Sequence, residues 1–138
     1  MKKLTTKDGF TLIEILVAAT IVALLAAIGV VSYVSANRSA RDAKRLADVE
    51  QIRAALEMYR ADCGFYPPSL TFNSSLTSNC SGVGSTVTYM SRVPQDPQSP
   101  TQNYSYFRHL TNNQDYTLTV RLERSGGAER RFGPLGER

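Results

Sequence analysis

One acidic residue lies within an apolar run that is long enough to cross a membrane. The run extends from Phe10 to Val31, directly after Gly9, and contains Glu14 near its start. As a helix these 22 residues span roughly 33 Å, close to the thickness of a bilayer's hydrocarbon core. A carboxylate at the centre of a bilayer costs about 2.5–3.5 kcal/mol, and residues of this kind are functional by default. Glu14 is therefore expected to have a specific function.

The apolar run has four interpretations: a secretory signal, a membrane anchor, a buried core helix, or a more specialised segment. It is longer than the roughly 7–15 residues of a signal peptide's apolar region. The triplet Val34-Ser35-Ala36 resembles a signal cleavage site, so cleavage there stays open. Three lysines lie on the N-terminal side, namely Lys2, Lys3 and Lys7. The positive-inside rule then predicts a cytoplasmic N-terminus and an exported C-terminal part.

The helical pattern continues beyond the apolar run. No proline or glycine occurs from Ser35 to Asp62. Five apolar residues in this stretch are spaced by three or four positions and so share one helix face; they are Leu46, Val49, Ile52, Leu56 and Tyr59. Gly64 and the prolines that follow it end the pattern.

The sequence thus predicts one helix from about Phe10 to Asp62. Its first half, residues 10–34, is apolar on all sides, and its second half, residues 35–62, is amphipathic. A long apolar shaft in water aggregates unless shafts pack on one another. The pattern therefore predicts lateral assembly of identical helices.

The N-terminus resembles a known processing signal. A lysine-rich leader, Gly9 and then Phe10-Thr11-Leu12-Ile13-Glu14 are similar to the class III signal of type IV prepilins and type II secretion pseudopilins. Two later segments resemble elements of major, G-like pseudopilins: residues 62–67 match D-x-G-x-Y-P, and residues 93–97 match V-P-x-D-P. The resemblance implies that a membrane-embedded aspartyl peptidase cuts between Gly9 and Phe10, which removes leader residues 1–9. It also implies that the same enzyme N-methylates Phe10.

The cut gives Glu14 a partner. It exposes an α-amino group on Phe10, which is ordinarily protonated at neutral pH. Glu14 lies four residues further on, on the same helix face and about 6 Å along the axis. The resemblance implies that Glu14 of one subunit meets the Phe10 amine of a neighbour and sets the register of assembly. The alternative, a carboxylate without a partner, stays open.

Gly29 is the candidate for a helix hinge. Many members of the family carry a proline near the position of Val31, whereas this chain has no proline before Pro67. Gly29 is the only helix-breaking residue in the apolar run, at a cost of about 1 kcal/mol relative to alanine. A close-packing contact in the membrane is the other interpretation of this glycine.

Residues 63–138 form the predicted head. Residues 63–85 are rich in Ser, Asn, Thr, Gly and Pro, and are expected to form a loop with at most one turn of helix. Strand patterns follow at Thr86–Met90, Tyr104–His109 and Tyr116–Leu122, the last two joined by a hairpin loop over 111–115. The fold class is therefore α+β: a long N-terminal helix packed on a small antiparallel sheet of about three strands.

Two cysteines, Cys63 and Cys80, could staple this head. Disulfides persist outside the cytoplasm, and closing this loop would stabilise the head by about 3 kcal/mol. Two free thiols are the alternative. Two cysteines and one distant histidine lack the spacing of a metal site, so we expect neither a metal nor a cofactor.

No catalytic motif is visible, and the chain is not expected to be an enzyme. His109 reads as a surface or packing residue, and Asp96, between prolines, as a turn former. G-like pseudopilins bind calcium through an acidic, glycine-rich loop near the C-terminus. Here only Asn112, Asn113 and Asp115 offer oxygen donors nearby, and one carboxylate makes a weak site. We therefore do not expect this chain to bind calcium.

The C-terminal charges have two interpretations. They are Arg121, Arg124, Arg130 and Arg131, with Glu123 and Glu129 between them. They could contact DNA or another anionic surface, or form a solvated, charged sheet edge that discourages aggregation. The net charge of +4 falls to +2 without residues 1–9 (which hold three lysines and one aspartate), so it is weak support for nucleic-acid binding.

The resemblance implies a structural subunit that polymerises through its N-terminal helix into a type IV pilus or a type II secretion pseudopilus. The implied partners are copies of itself, the prepilin peptidase and methylase, an inner-membrane assembly platform with its ATPase, minor pilins, and membrane lipid before assembly. The implied location is a bacterial inner membrane, crossed once, and then the filament. A singly anchored exported binding domain and a DNA-binding minor pilin are the alternatives.

Overall fold

The computed structural model describes residues 9–80 and 86–138, with only the backbone given for Val31. The predictions for leader residues 1–8 and for loop residues 81–85 therefore lie outside the described chain. Two compact units are distinguished, one ending at Asn37 and the other running from Arg38 to Arg138.

One helix, α1, extends over Leu12–Cys63 and comprises 52 residues. It ends where Gly64 adopts a left-handed conformation, with a φ of 77°. The Gly64 N–H donates to the carbonyl oxygen of Arg60 at 2.8 Å, which satisfies one of the last helical acceptors. A residue with a Cβ would strain this backbone. The predicted long helix is confirmed, with its ends within two residues of those expected.

The first half of α1 carries exposed apolar side chains. An 18-residue window reaches a mean hydropathy of 2.7, and none of that window is buried. Leu12 is 83% exposed, and Val22 and Leu24 are each 65% exposed. By length and composition, α1 can cross a membrane. A core helix of a globular domain would have its apolar side chains covered, so that interpretation is excluded.

In the unit from Arg38 onward, the described residues form six short strands besides the second half of α1. They are β1 Leu76–Ser78, β2 Val87–Met90, β3 Ser105–Arg108, β4 Tyr116–Arg121, β5 Glu129–Gly133 and β6 Gly136–Glu137. β1 and β2 form a two-stranded sheet, and β3 to β6 form a four-stranded sheet in chain order. Each pairing is antiparallel, which confirms the α+β class.

The core lies between α1 and the four-stranded sheet. On the helix, Val49, Ile52, Leu56 and Tyr59 are buried as predicted, whereas Leu46 is half-buried. On β4, alternate side chains are buried, as the sequence alternation predicted; they are Tyr116, Leu118 and Val120, and Leu122 follows the strand. The two patterns meet because each element has one apolar face to remove from water.

The predicted sheet was wrong in three respects. The strand predicted at Thr86–Met90 pairs with β1 in a separate sheet, and β1 itself lies in the segment expected to be a loop. The main sheet contains β5 and β6, which were not predicted. β5 reads Glu-Arg-Arg-Phe-Gly, without apolar alternation. It forms because β4 offers it a pairing edge, with Phe132 opposite Leu118, and Phe132 is buried.

A disulfide joins Cys63 to Cys80, with their Cα atoms 4.9 Å apart. It connects the last residue of α1 to the segment that follows β1. A two-stranded sheet is marginally stable by itself, so the bond supports the β1–β2 sheet by tying it to the helix end. Both cysteines pack against the hydrophobic core.

We expect the double substitution Cys63→Ser, Cys80→Ser to lower the free energy of unfolding by about 3 kcal/mol, because the unfolded chain loses a cross-link. Urea unfolding of the full chain in detergent, followed by tyrosine fluorescence, measures the change. A reductant should destabilise the wild type to the level of the variant and leave the variant unaffected. Equal stability of the oxidised wild type and the variant would contradict the stapling role.

Candidate functional site

The peptide bond between Gly9 and Phe10 is accessible. Both residues precede α1, and Phe10 is 83% exposed. A Cβ built on Gly9 would meet no atom within 4 Å. The fold itself therefore gives no reason for a glycine at this position, which is consistent with a requirement imposed by another molecule.

Thr11 and Glu14 form a capping box at the start of α1. The Thr11 N–H donates to Glu14 Oε2 at 2.9 Å, and the Thr11 hydroxyl donates to the same oxygen at 2.8 Å. In return, the Glu14 N–H donates to Thr11 Oγ1 at 3.3 Å. Free N–H groups at a helix start are satisfied in this reciprocal way, and the carboxylate also faces the positive end of the helix dipole.

The capping box occupies one oxygen of the Glu14 carboxylate. Within residues 9–80 and 86–138, Oε1 has no hydrogen bond, so it can accept one from another molecule. Glu14 borders a shallow groove on the helix surface, whose other lining residues are Ile13, Val17, Ala18 and Ile21. This helix face therefore presents a hydrogen-bond acceptor, Glu14 Oε1, beside apolar side chains to any molecule that packs on it.

Gly29 lies in unbroken helix. A Cβ at this position would meet no atom of the described residues within 4 Å, so no packing within that part of the chain requires a glycine. The hinge stays a prediction, which hydrogen exchange of the neighbouring amides in a filament would test.

A second polar centre, the Arg45 cluster, lies in the head and consists of Arg41, Asp42, Arg45, Asp96 and Glu123. Arg45 is fully buried. Its Nε donates to Asp96 Oδ2, and its Nη1 donates to both Asp42 Oδ1 and Glu123 Oε1, each at 2.8 Å. Arg41 Nε donates to Glu123 Oε1 at 2.7 Å. Two guanidinium groups thus hold three carboxylates, one each from the helix, the β2–β3 connection and the turn between β4 and β5.

Hydrogen bonds within the cluster favour the charged forms of Glu123, Asp42 and Arg45. The hydrogen bond from Arg41, with a further one from Arg45, lowers the pKa of Glu123 to about 2. Burial raises the pKa of Asp42, but hydrogen bonds from the Arg124 and Glu123 amides and from Arg45 outweigh it, so this pKa lies below its ordinary value. The hydrogen bond to Asp96 raises the pKa of Arg45 despite its burial. Removing one partner of a buried pair typically costs about 3–5 kcal/mol.

Sequence reasoning missed Arg45, although a signal was present. Arg45 lies four residues before Val49 and so continues the buried stripe of α1. The prediction for Asp96 was incomplete. Its Oδ1 accepts from the Gln98 N–H at 2.8 Å, as a turn former does, but the same carboxylate is 2% exposed and paired with Arg45.

The C-terminal charges are largely engaged within the head. Arg121 and Glu129 are 3.5 Å apart across β4 and β5, Arg130 pairs with Glu137, and Arg124 Nη1 donates to Ser39 Oγ. The interpretation as a solvated, charged sheet edge holds in part: β6 pairs with β5 at Phe132 and Gly133, whereas Glu129 and Arg131 of β5 lie outside that pairing with exposed side chains.

The residues near the C-terminus do not fit a calcium ion. Asp115 is the only carboxylate of the candidate group, and it is paired with Arg138. In the part of the chain that the structure describes, no group of three or more His, Cys, Asp or Glu residues could hold a metal. His109 Nε2 lies 3.1 Å from Thr117 Oγ1 and its ring packs edge-on to Phe107, a packing environment as predicted.

Two family models match separate parts of the chain. The prokaryotic N-terminal methylation motif matches residues 5–30, which include the accessible Gly9–Phe10 bond and Glu14. The model for protein G of the type II secretion system matches residues 32–130, most of the chain. The chain belongs to the type II secretion system protein G family.

Curated relatives support the same family. Each of the following is named type II secretion system core protein G. The Escherichia coli protein is 30% identical over 109 residues, which cover 70% of each chain. The Pseudomonas aeruginosa protein is 32% identical over 96 residues, covering 66% of this chain and 68% of that protein. The Vibrio cholerae protein is 34% identical over 67 residues, and the chain spans about half its length (46%). No solved structure matches the chain.

These matches confirm the resemblance to prepilins and pseudopilins that the N-terminal motif suggested. They identify the chain as a structural subunit of the pilin and pseudopilin kind. Its apolar N-terminal helix is the membrane-anchoring element of that kind of subunit.

The low pKa of Glu123 generates a pH prediction. In the unfolded chain an ordinary glutamate binds its proton near pH 4.3, whereas folded Glu123 does so at about 2. The unfolded state therefore binds more protons between these values, and the stability contributed by Glu123 is lost as the pH falls from about 5 to about 2. Urea unfolding at a series of pH values measures this loss.

The variant Glu123→Gln should be less stable than the wild type at neutral pH and should lose less stability on acidification. Glu50→Gln, which removes a carboxylate 63% exposed outside the cluster, is the matched control. An acid dependence of Glu123→Gln equal to that of the wild type would show that the cluster does not bind Glu123 in this way.

Proposed function

We propose that this protein G family member polymerises through α1 into the pseudopilus of a type II secretion system. The single observation that supports this proposal is the placement of Glu14: a carboxylate with one unoccupied oxygen at the start of an exposed apolar helix. We assign residues 1–9 to the leader, 10–34 to the membrane and assembly segment, 35–62 to the amphipathic half of α1, and 63–138 to the head.

The proposed assembly step follows from the leader's removal. Cleavage after Gly9 leaves a new amine on Phe10, one residue before the capping box. Glu14 Oε2 stays bonded to Thr11 of its own chain, and Oε1 accepts a hydrogen bond from the Phe10 amine of a neighbour. Both charges leave water during this step, and an unpaired charge in an apolar interface carries a large penalty. Only a register that pairs them is tolerated, so Glu14 selects the register.

The proposed orientation places the N-terminus in the cytoplasm. Lysines of the leader favour it, but cations also follow the apolar run on the other side. Arg41 and Arg45 are two of these cations, and in the folded head carboxylates bind both of them. The disulfide between Cys63 and Cys80 supports export as well, because such bonds persist outside the cytoplasm.

We assign the subunit a structural rather than a catalytic role, without a cofactor. Its proposed partners are other copies of the chain, the prepilin peptidase and methylase, the inner-membrane assembly platform with its ATPase, minor pilins, and lipid before assembly. Membership of the protein G family favours a pseudopilus over a long pilus. Pairing of the C-terminal arginines gives no support to nucleic-acid binding. An anchored domain that never polymerises is the competing function.

Replacing Gly9 by leucine should block processing and leave the fold unchanged. The structure leaves open space at this position, whereas a protease cleft that accepts an extended backbone closely excludes a large side chain. Electrophoresis and intact mass should show the full-length chain in the membrane, with leader residues 1–9 retained. Gly9→Ala, with a side chain of one methyl group, is the control and should be processed in part or fully.

Replacing Glu14 tests polymerisation directly. Glu14→Gln keeps a side chain that can complete the capping box but removes the charge. The lost charge-assisted hydrogen bond is worth about 1.5–3 kcal/mol, so filament yield should fall about tenfold or more. Insertion and cleavage should be normal, as judged by membrane fractionation and by a mature mass that begins at Phe10. Filaments are counted by electron microscopy of cells that overproduce the subunit.

Thr11→Val is the matched control, because it removes the hydroxyl of the capping box and leaves the charge. It should assemble better than Glu14→Gln. Wild-type filament numbers from Glu14→Gln would refute the register role, and an absence of filaments from the wild type under conditions of full processing would favour the anchored domain.

A further inference from the structure

The asparagines of this chain fall unusually often in one motif. Six asparagines are present, and four of them are followed two positions later by serine, with no proline between. They are Asn37, Asn73, Asn79 and Asn103. Serine and threonine make up 25 of the 138 residues, so about one of the six asparagines would carry this N-glycosylation motif by chance.

The structure disqualifies two of the four. Asn37 lies within α1, and Ser39, which completes its motif, accepts a hydrogen bond from Arg124. The side-chain amide of Asn103 is held at both ends: Nδ2 donates to the Pro100 carbonyl oxygen at 3.1 Å, and Oδ1 accepts from Ser99 Oγ at 3.0 Å. A glycosyl group cannot reach these amides without breaking regular structure or a closed turn.

Asn73 lies in an exposed turn, where an acceptor asparagine is accessible. It is exposed, as are Ser74 and Ser75, so the whole motif lies on the surface. Its φ of 64° places it in a turn conformation that asparagine tolerates better than most residues. The turn is fixed by two backbone bonds, from the Asn73 N–H to the Val93 oxygen and from the Val93 N–H to the Ser74 oxygen.

The orientation of the Asn73 amide is also fixed. Arg92 Nε lies 2.6 Å from Oδ1, and because a guanidinium only donates, the atom it contacts must be the oxygen. The nitrogen, Nδ2, is therefore the other atom, and within the described residues it has no hydrogen bond. Asn79 is exposed too, but its motif ends at Ser81, outside the described chain.

We propose that Asn73 is an N-glycosylation site, modified by a glycosyltransferase that uses a sugar bonded through C1 to a diphosphate. In the transfer, a bond forms between Asn73 Nδ2 and C1 of the sugar, and the bond from C1 to the diphosphate oxygen breaks. The electron pair leaves with the diphosphate, and the amide proton passes to a base of the transferase. The product carries a bulky hydrophilic group on the head.

The test uses the mature subunit purified from the cells that naturally make it. Peptide mapping by tandem mass spectrometry should find the peptide that contains Asn73 enlarged by at least one sugar, with the sugar on the asparagine. A block of several sugars indicates a lipid-diphosphate donor, and a single hexose indicates a nucleotide-diphosphate donor. An unmodified Asn73 in this preparation overturns the proposal.

Substitutions separate this site from other modifications. Asn73→Asp keeps both the turn conformation and an acceptor for Arg92 but removes the nitrogen, and it should abolish the added mass at position 73. Ser75→Ala should do the same, whereas Ser75→Thr and the neighbouring Ser74→Ala keep the motif and should retain the mass.

Persistence of the sugar in Ser75→Ala, or a sugar found on serine, threonine or Asn79 but not on Asn73, would refute the assignment. The readout is a mass on one peptide. It is therefore independent of whether the subunit forms filaments.

Discussion

The structure depends first on keeping one helical surface away from water. From Leu12 to Val34, Val31 aside, the apolar side chains of α1 are exposed, and no described residue of the chain buries them. Such a surface is stable in lipid or against other helices and is an aggregation hazard elsewhere. This requirement explains why the subunit would be stored in a membrane and why, outside it, copies would pack laterally.

In the proposed assembly, Glu14 is the residue that makes this apolar surface specific. Contacts between apolar helices slide easily, because one register buries about as much area as the next. A carboxylate that is half occupied by its own capping box and half free introduces a position-dependent penalty. In the assembly proposed above, one register is tolerated, set by the distance from Phe10 to Glu14. The energetic basis is the cost of an unpaired charge in a medium that cannot solvate it.

In the head, a thin sheet is attached to a single helix by three kinds of contact. Apolar contacts between α1 and β4 supply the core, and the Arg45 cluster fixes the helix to the β2–β3 connection and to the turn between β4 and β5. The disulfide does the same for the small β1–β2 sheet. Arginine and carboxylate groups also hold the C-terminal part of the head, where Asp115 is paired with Arg138.

The sequence by itself determined the features that depend on local pattern. The apolar run, the amphipathic stripe from Val49 to Tyr59 and the alternation in β4 each repeat with the period of their element, and Gly9, Phe10 and Glu14 stand at fixed offsets along one chain. Only the tertiary structure decided which partners distant residues would find. Asp96 is bonded to Arg45, 51 residues away in the chain. The charged β5 is a strand because it pairs with the edge of β4. Tertiary hydrogen bonds also distinguish the two motifs: both ends of the Asn103 amide are bonded, whereas within the described residues the Asn73 nitrogen is not. Local periodicity is encoded in neighbouring residues, whereas burial and pairing depend on contacts between residues far apart in the chain, which no short pattern records.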